Sequence, residues 1–121
     1  MRVIVDGDNV LRALGLVSRD YSAGAEAFLQ DLESAAAALD WEVIVVFDGP
    51  ERFLRRETGL LVVRYAKGKT ADTLIERLVY EAEDRLQIAV VTRDRAEGDL
   101  VAGLGARVWT PERLVQEMKA A

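Results

Sequence analysis

Short β-branched runs alternate with longer stretches of helical period along this sequence, and few folds accommodate that alternation. Val3-Ile4-Val5 opens a first strand that stops at Asp6-Gly7. Ala25, Phe28, Leu29, Leu32, Ala36 and Leu39 recur at steps of three and four, which predicts an amphipathic helix with Ser22 as its cap. Trp41 to Phe47 is almost wholly apolar and is halted by Asp48-Gly49-Pro50, as expected of a strand covered on both faces. Leu60 to Tyr65 reads as a third strand, and Thr70 as the cap of a helix with Leu74, Ile75, Leu78, Val79 and Ala82 in one stripe. Ile88 to Thr92 is a fourth strand, Ala96 to Leu104 a short helix and Ala106 to Trp109 a fifth strand. Thr110-Pro111 then starts a last helix, buried through Leu114, Val115 and Met118. The expected fold is α/β: a three-layer, mostly parallel five-stranded sheet with helices on both faces. At 121 residues, without linker, repeat or low-complexity tract, the chain is expected to form one domain over 1–121.

Right-handed crossovers in such a sheet bring the carboxyl ends of the strands to one edge, where sites are built. Asp6 and Asp48 follow the first and second strands, and Asp94 lies two residues after Thr92 at the end of the fourth. Asp72 falls in the first turn of the helix after Thr70. Glu76 comes one turn later, within roughly 40° of it, and both border Ile75 and Val79. Converging carboxylates repel by several kcal/mol at about 4 Å and an effective dielectric near 20, and a divalent cation offsets that cost. The sequence contains no Cys and no His. Disulfides, thiolate or imidazole metal ligands, thiol catalysis and a Ser-His-Asp triad are thereby excluded. A metal held here must be a hard cation among oxygens, which fits Mg²⁺ or Mn²⁺. Taken singly, each acid has an ordinary explanation: a helix cap for Asp6 or Asn9, a turn for Asp48 and Asp94, the macrodipole for Asp72, solvation for Glu76. Their common edge singles them out.

The net charge of −5 is not that of a protein that coats nucleic acid by bulk charge. A local basic run nevertheless stands out. Between Glu51 and Lys69, six bases (Arg52, Arg55, Arg56, Arg64, Lys67 and Lys69) face two acids, and Arg93 and Arg95 flank Asp94. This can be a solvated face, or a phosphate track formed by Arg52, Arg55, Arg56, Lys67, Lys69, Arg93 and Arg95, with Tyr65 or Phe53 as stacking surfaces. No apolar run approaches a membrane span, and the acid at position 6 comes too early for a signal peptide, so the expected location is the cytoplasm.

Four segments occur in order: Val5-Asp6-Gly7-Asp8-Asn9-Val10, Val46-Phe47-Asp48-Gly49, Gly68-Lys69-Thr70-Ala71-Asp72 with Ile75-Glu76, and Val90-Val91-Thr92-Arg93-Asp94. Together they resemble the NYN domain of the PIN-like nuclease superfamily, and its YacP-like branch in particular, from Val3 to about Val108. The resemblance implies a metal-dependent endoribonuclease that uses Mg²⁺ or Mn²⁺, one or two ions, to hydrolyse RNA by water attack and leave 5′-phosphates. By position, Asp6, Asp72 and Asp94 are similar to the family's metal-binding acids, with Asp48 a further candidate. Asn9 is similar to the asparagine that orients a ligand or the scissile phosphate, and Thr92 and Glu76 to supporting residues. RNA is the implied partner, with an association to the ribosome or RNA-processing machinery. Two departures are plain: Asp8 stands where the branch has an uncharged residue, and the segment after Asp94 is shorter.

Other readings explain less. A non-catalytic RNA-binding module needs only the basic track. A haloacid dehalogenase-type phosphohydrolase would take Asp6 as nucleophile in Asp6-Gly7-Asp8-Asn9-Val10 but leaves Asp72 without a role. A signalling receiver domain requires Lys before Pro111, where Thr110 stands. A nucleotide P-loop fails because Val63 occupies its required early glycine.

Overall fold

The computed structural model describes residues 1–16, 21–49, 51 and 59–121. Five strands, β1 (Arg2–Asp6), β2 (Glu42–Phe47), β3 (Leu61–Tyr65), β4 (Ile88–Val91) and β5 (Arg107–Trp109), form one sheet in the order β3-β2-β1-β4-β5. Every pairing is parallel, with Val5 opposite Val45 and Val91 at the centre. The helices are α1 (Gly7–Ala13), α2 (Tyr21–Leu39), α3 (Ala71–Glu81), α4 (Arg95–Gly103) and α5 (Pro111–Lys119). A parallel sheet has to be covered twice, and the strand alternation shows how this is done. Val3, Val5, Val43, Val45, Phe47, Ala89 and Val91 pack with Val10, Leu11, Leu29, Leu32 and Leu114 from α1, α2 and α5. Ile4, Val46, Ile88 and Val90 face the other way and pack with Ala71, Ile75, Val79 and Val101 from α3 and α4. Trp41 and Trp109 close the first layer, with ring centroids 5.7 Å apart and tilted by 57°.

Two sequence expectations shift. The second helix already begins at Tyr21, so Ser22 lies within it rather than ahead of it. A further helix, α1, starts directly after β1; its seven residues are too few to display a period. Other starts match their sequence signals: Thr70 accepts from the Thr73 amide at 3.3 Å, and Thr110 from the Arg113 amide at 3.0 Å with Pro111 next.

The direct passage from β1 into α1 requires glycine. A Cβ at Gly7 would meet the Phe47 ring at 2.5 Å, and Phe47 is itself buried and stacked on Tyr65. Gly7→Ala should therefore destabilise the fold by about 1–3 kcal/mol in urea denaturation, and Phe47→Leu should recover part of that loss in the double variant. Additive losses in the double variant would contradict this packing.

Candidate metal centre

In the order β3-β2-β1-β4-β5, chain direction across the sheet reverses between β1 and β4, so a crevice opens at their carboxyl ends. Alternation along the strands decides which side chains reach it. Asp6 follows the parity of Ile4, Asp48 that of Val46, and Thr92 that of Val90, so all three project to the α3–α4 side. The first turns of α3 and α4 arrive there with Asp72 and Glu97.

Asp6 is 4% exposed and Glu97 3% exposed. Asp6 holds the N-cap position of α1 but makes no side-chain cap bond, which leaves its carboxylate to the crevice. Carboxylate oxygens of Asp6, Asp72 and Glu97 all lie within 4.8 Å of one another. The Thr92 hydroxyl accepts from the Asp94 amide at 3.1 Å and lies 2.9 Å from Glu97 Oε2 and 3.4 Å from Asp6 Oδ2. Its single proton goes to the shorter contact. Glu97 Oε1 is buried without a hydrogen-bond partner. Ionised carboxylates have no proton to give each other, and a proton on the pair or a cation would satisfy that oxygen. Three carboxylates and an orphaned buried oxygen suit a hard divalent ion.

The titration behaviour has the same origin. Burial pushes the Asp6 carboxyl up to about 6; Asp72 and Asp48 add to this, while hydrogen bonds from Glu97 and Thr92 oppose it. Burial pushes Glu97 up to about 10, helped by its hydrogen bond to Asp6 and by the charges of Asp6 and Asp72. Without metal, Glu97 retains the proton and Asp6 accepts it in a hydrogen bond.

The remaining expected site residues are distributed around this core. Asp48 Oδ1 accepts from the Ala71 amide at 2.7 Å and so ties the start of α3 to the end of β2. The Asp48 amide in turn donates to Asp8 Oδ2 at 2.9 Å. Asp94 is exposed and caps α4, accepting from the Glu97 amide at 3.2 Å. Asn9 Oδ1 accepts from the Arg93 amide at 2.8 Å. Glu76 is half-buried one turn along α3, in a groove shared with Arg77, Tyr80 and Leu100. Lys67, Lys69, Arg93 and Arg95 are exposed, and Arg93 is ion-paired with Glu112. Arg52, Arg55, Arg56 and Phe53 lie outside the described residues. Glu97 was not among the residues singled out from the sequence. Its signal is Asp94-Arg95-Ala96-Glu97, an acid three residues after a capping acid, which reads as an ordinary capping box.

A wholly parallel sheet in this order, with acids gathered at its switch point, is the architecture of a PIN-like nuclease domain. The chain belongs to the YacP-like NYN domain family, whose model it matches over residues 3–121. The crystal structure of Rae1 (YacP) from Bacillus subtilis superposes with a TM-score of 0.82 at 27% identity, covering 99% of this chain and 74% of that one. Its W164L mutant gives 0.80 at 25% identity, covering 99% and 75%. No curated protein matches the sequence. No helix among the described residues is long and apolar enough to cross a membrane.

Both raised carboxyls bind protons more tightly in the folded chain than in the unfolded one. In metal-free protein, unfolding free energy should thus fall as pH rises from about 4 through about 6 for Asp6, and on toward about 10 for Glu97. Urea denaturation in EDTA should show less stability at pH 8 than at pH 5, with a shallower fall in Glu97→Gln. Added Mn²⁺ should stabilise more at pH 8. An identical slope in Glu97→Gln would contradict the assignment.

Proposed function

We propose that this protein is a Mg²⁺- or Mn²⁺-dependent endoribonuclease that hydrolyses RNA phosphodiesters at the carboxyl edge of its sheet. The observation that carries this reading is the buried group of Asp6, Asp72 and Glu97, with Glu97 Oε1 unsatisfied by any protein donor. Family membership supports the nuclease chemistry. A bound divalent ion would supply Lewis-acid polarisation of the phosphodiester and a water of lowered pKa.

The chain's own residues have separate tasks in this reading. Asp6, Asp72 and Glu97 hold the ion. Thr92 orients Glu97 through its hydroxyl, and the exposed Asp94 does so through the Glu97 amide. Asp48 sets the position of Asp72 by anchoring the first turn of α3. Asn9 fixes the backbone at Arg93. Glu76 supports the α3 side of the crevice. Lys67, Lys69, Arg93 and Arg95, together with Arg52, Arg55 and Arg56, provide cations for the RNA backbone. A cytoplasmic location and a link to the ribosome or RNA-processing machinery accompany this reading.

Labelled single-stranded RNA incubated with Mn²⁺, with Mg²⁺ or with EDTA tests it. Cleavage should require the metal and leave 5′-phosphates. Asp6→Asn, Asp72→Asn and Glu97→Gln should each lower the rate by about a hundredfold or more while the chain stays folded. Full activity of Asp72→Asn in excess Mn²⁺ would refute the ligand assignment. RNA binding without cleavage in either metal would establish the non-catalytic module instead.

A further inference from the structure

A cavity of about 300 Å³ opens at the carboxyl edge of the sheet, lined by Asn9, Arg12, Ala13 and Arg93. It lies on the far side of that edge from the acids. Val10 and Leu11 of α1 pack into the α2–α5 layer, whereas Asp72 and Glu97 come from the α3–α4 layer. The Arg93 amide donates to Asn9 Oδ1, so the loop after β4 joins the two places.

The chemistry of the lining is one-sided. Asn9 turns its oxygen to the Arg93 amide and keeps its NH₂ as a donor. Arg12 is exposed in the last turn of α1 and has no ion-pair partner among the described residues. Arg93 is paired with Glu112, but both side chains are more than half exposed, and a pair of that kind yields readily to a competing anion. No carboxylate is among the described residues that line the cavity. Two guanidinium forks and an amide form a donor set suited to phosphate oxygens.

We propose that this notch binds a phosphodiester of the substrate strand that is not the one cut, so that RNA crosses the ends of β1 and β4 from the acids to Arg12. The inference rests on the endoribonuclease reading for the identity of the strand, and it makes Arg12 a positioning residue rather than a catalytic one. The strand is engaged on both faces of the sheet, and α1 carries the second foothold. Arg12 can be tested without disturbing the fold, because its side chain is exposed and the turn after α1 is closed by its carbonyl, which accepts from the Gly15 amide at 3.2 Å.

The test measures binding of a fluorescein-labelled oligouridine to the Asp6→Asn chain across a salt series, without and with Arg12→Ala, alongside steady-state cleavage by the Arg12→Ala single variant. Arg12→Ala should weaken binding severalfold and reduce the slope of log K against log salt by about 0.7. Arg12→Lys should restore the slope. In cleavage, Arg12→Ala should raise KM severalfold and leave kcat within about twofold. Unchanged affinity and slope in Arg12→Ala overturn the subsite, as does a loss confined to kcat or an Asp6→Asn chain that does not bind the probe. If Arg12 governs binding but the wild-type chain cuts no RNA, the subsite stands and the nuclease reading falls.

Discussion

Two carboxylates, Asp6 and Glu97, are held almost out of reach of water, and they cannot both be ionised there unless something positive stands between them. A proton shared by the pair, or a metal ion, would meet this constraint. Much of the surrounding architecture serves to keep the conflict in place. Thr92 fixes one oxygen of Glu97, the α4 cap fixes its backbone, and the burial of β1 prevents Asp6 from swinging outward. A fold shaped by stability alone would have replaced one acid by an apolar residue, a substitution that often leaves a protein more stable.

Most of the polar contacts around the crevice are one step removed from the acids themselves. Asp48 pins the amide end of α3, Asp8 takes the Asp48 amide, Asn9 takes the Arg93 amide, and Asp94 takes the Glu97 amide. Each uses a side-chain oxygen to hold a main-chain N–H; the first three join segments that the sheet alone would leave free to drift, and the last caps α4. Ligands need this kind of support, because a carboxylate displaced by an ångström no longer shares an ion with its neighbours.

The layer order was legible because it follows from simple periodicities. β-branched runs at Val3–Val5, Val43–Val46 and Ile88–Val91 alternate with stripes such as Leu74-Ile75-Leu78-Val79, and a parallel sheet clothed on both faces is what such a chain can make. The gathering of Asp6 and Asp72 was legible for a related reason, since strand ends and helix starts share one edge. Short-range geometry was not. α1 has too few residues to reveal a period, and Glu97 looks like a cap partner until the fold shows Thr92 drawing it inward. The role of Asp48 as an acceptor from the Ala71 amide depends on which N–H comes within reach, and spacing alone does not encode that.

The central position of β1 has a consequence for how the protein comes to life. Asp6 emerges first during synthesis, yet its strand must wait for β4 before it is flanked on both sides, and Glu97 follows later still. No amino-terminal fragment shorter than 97 residues contains all three acids. The buried carboxylate group therefore cannot assemble until synthesis has passed Glu97 and β4 has docked beside β1.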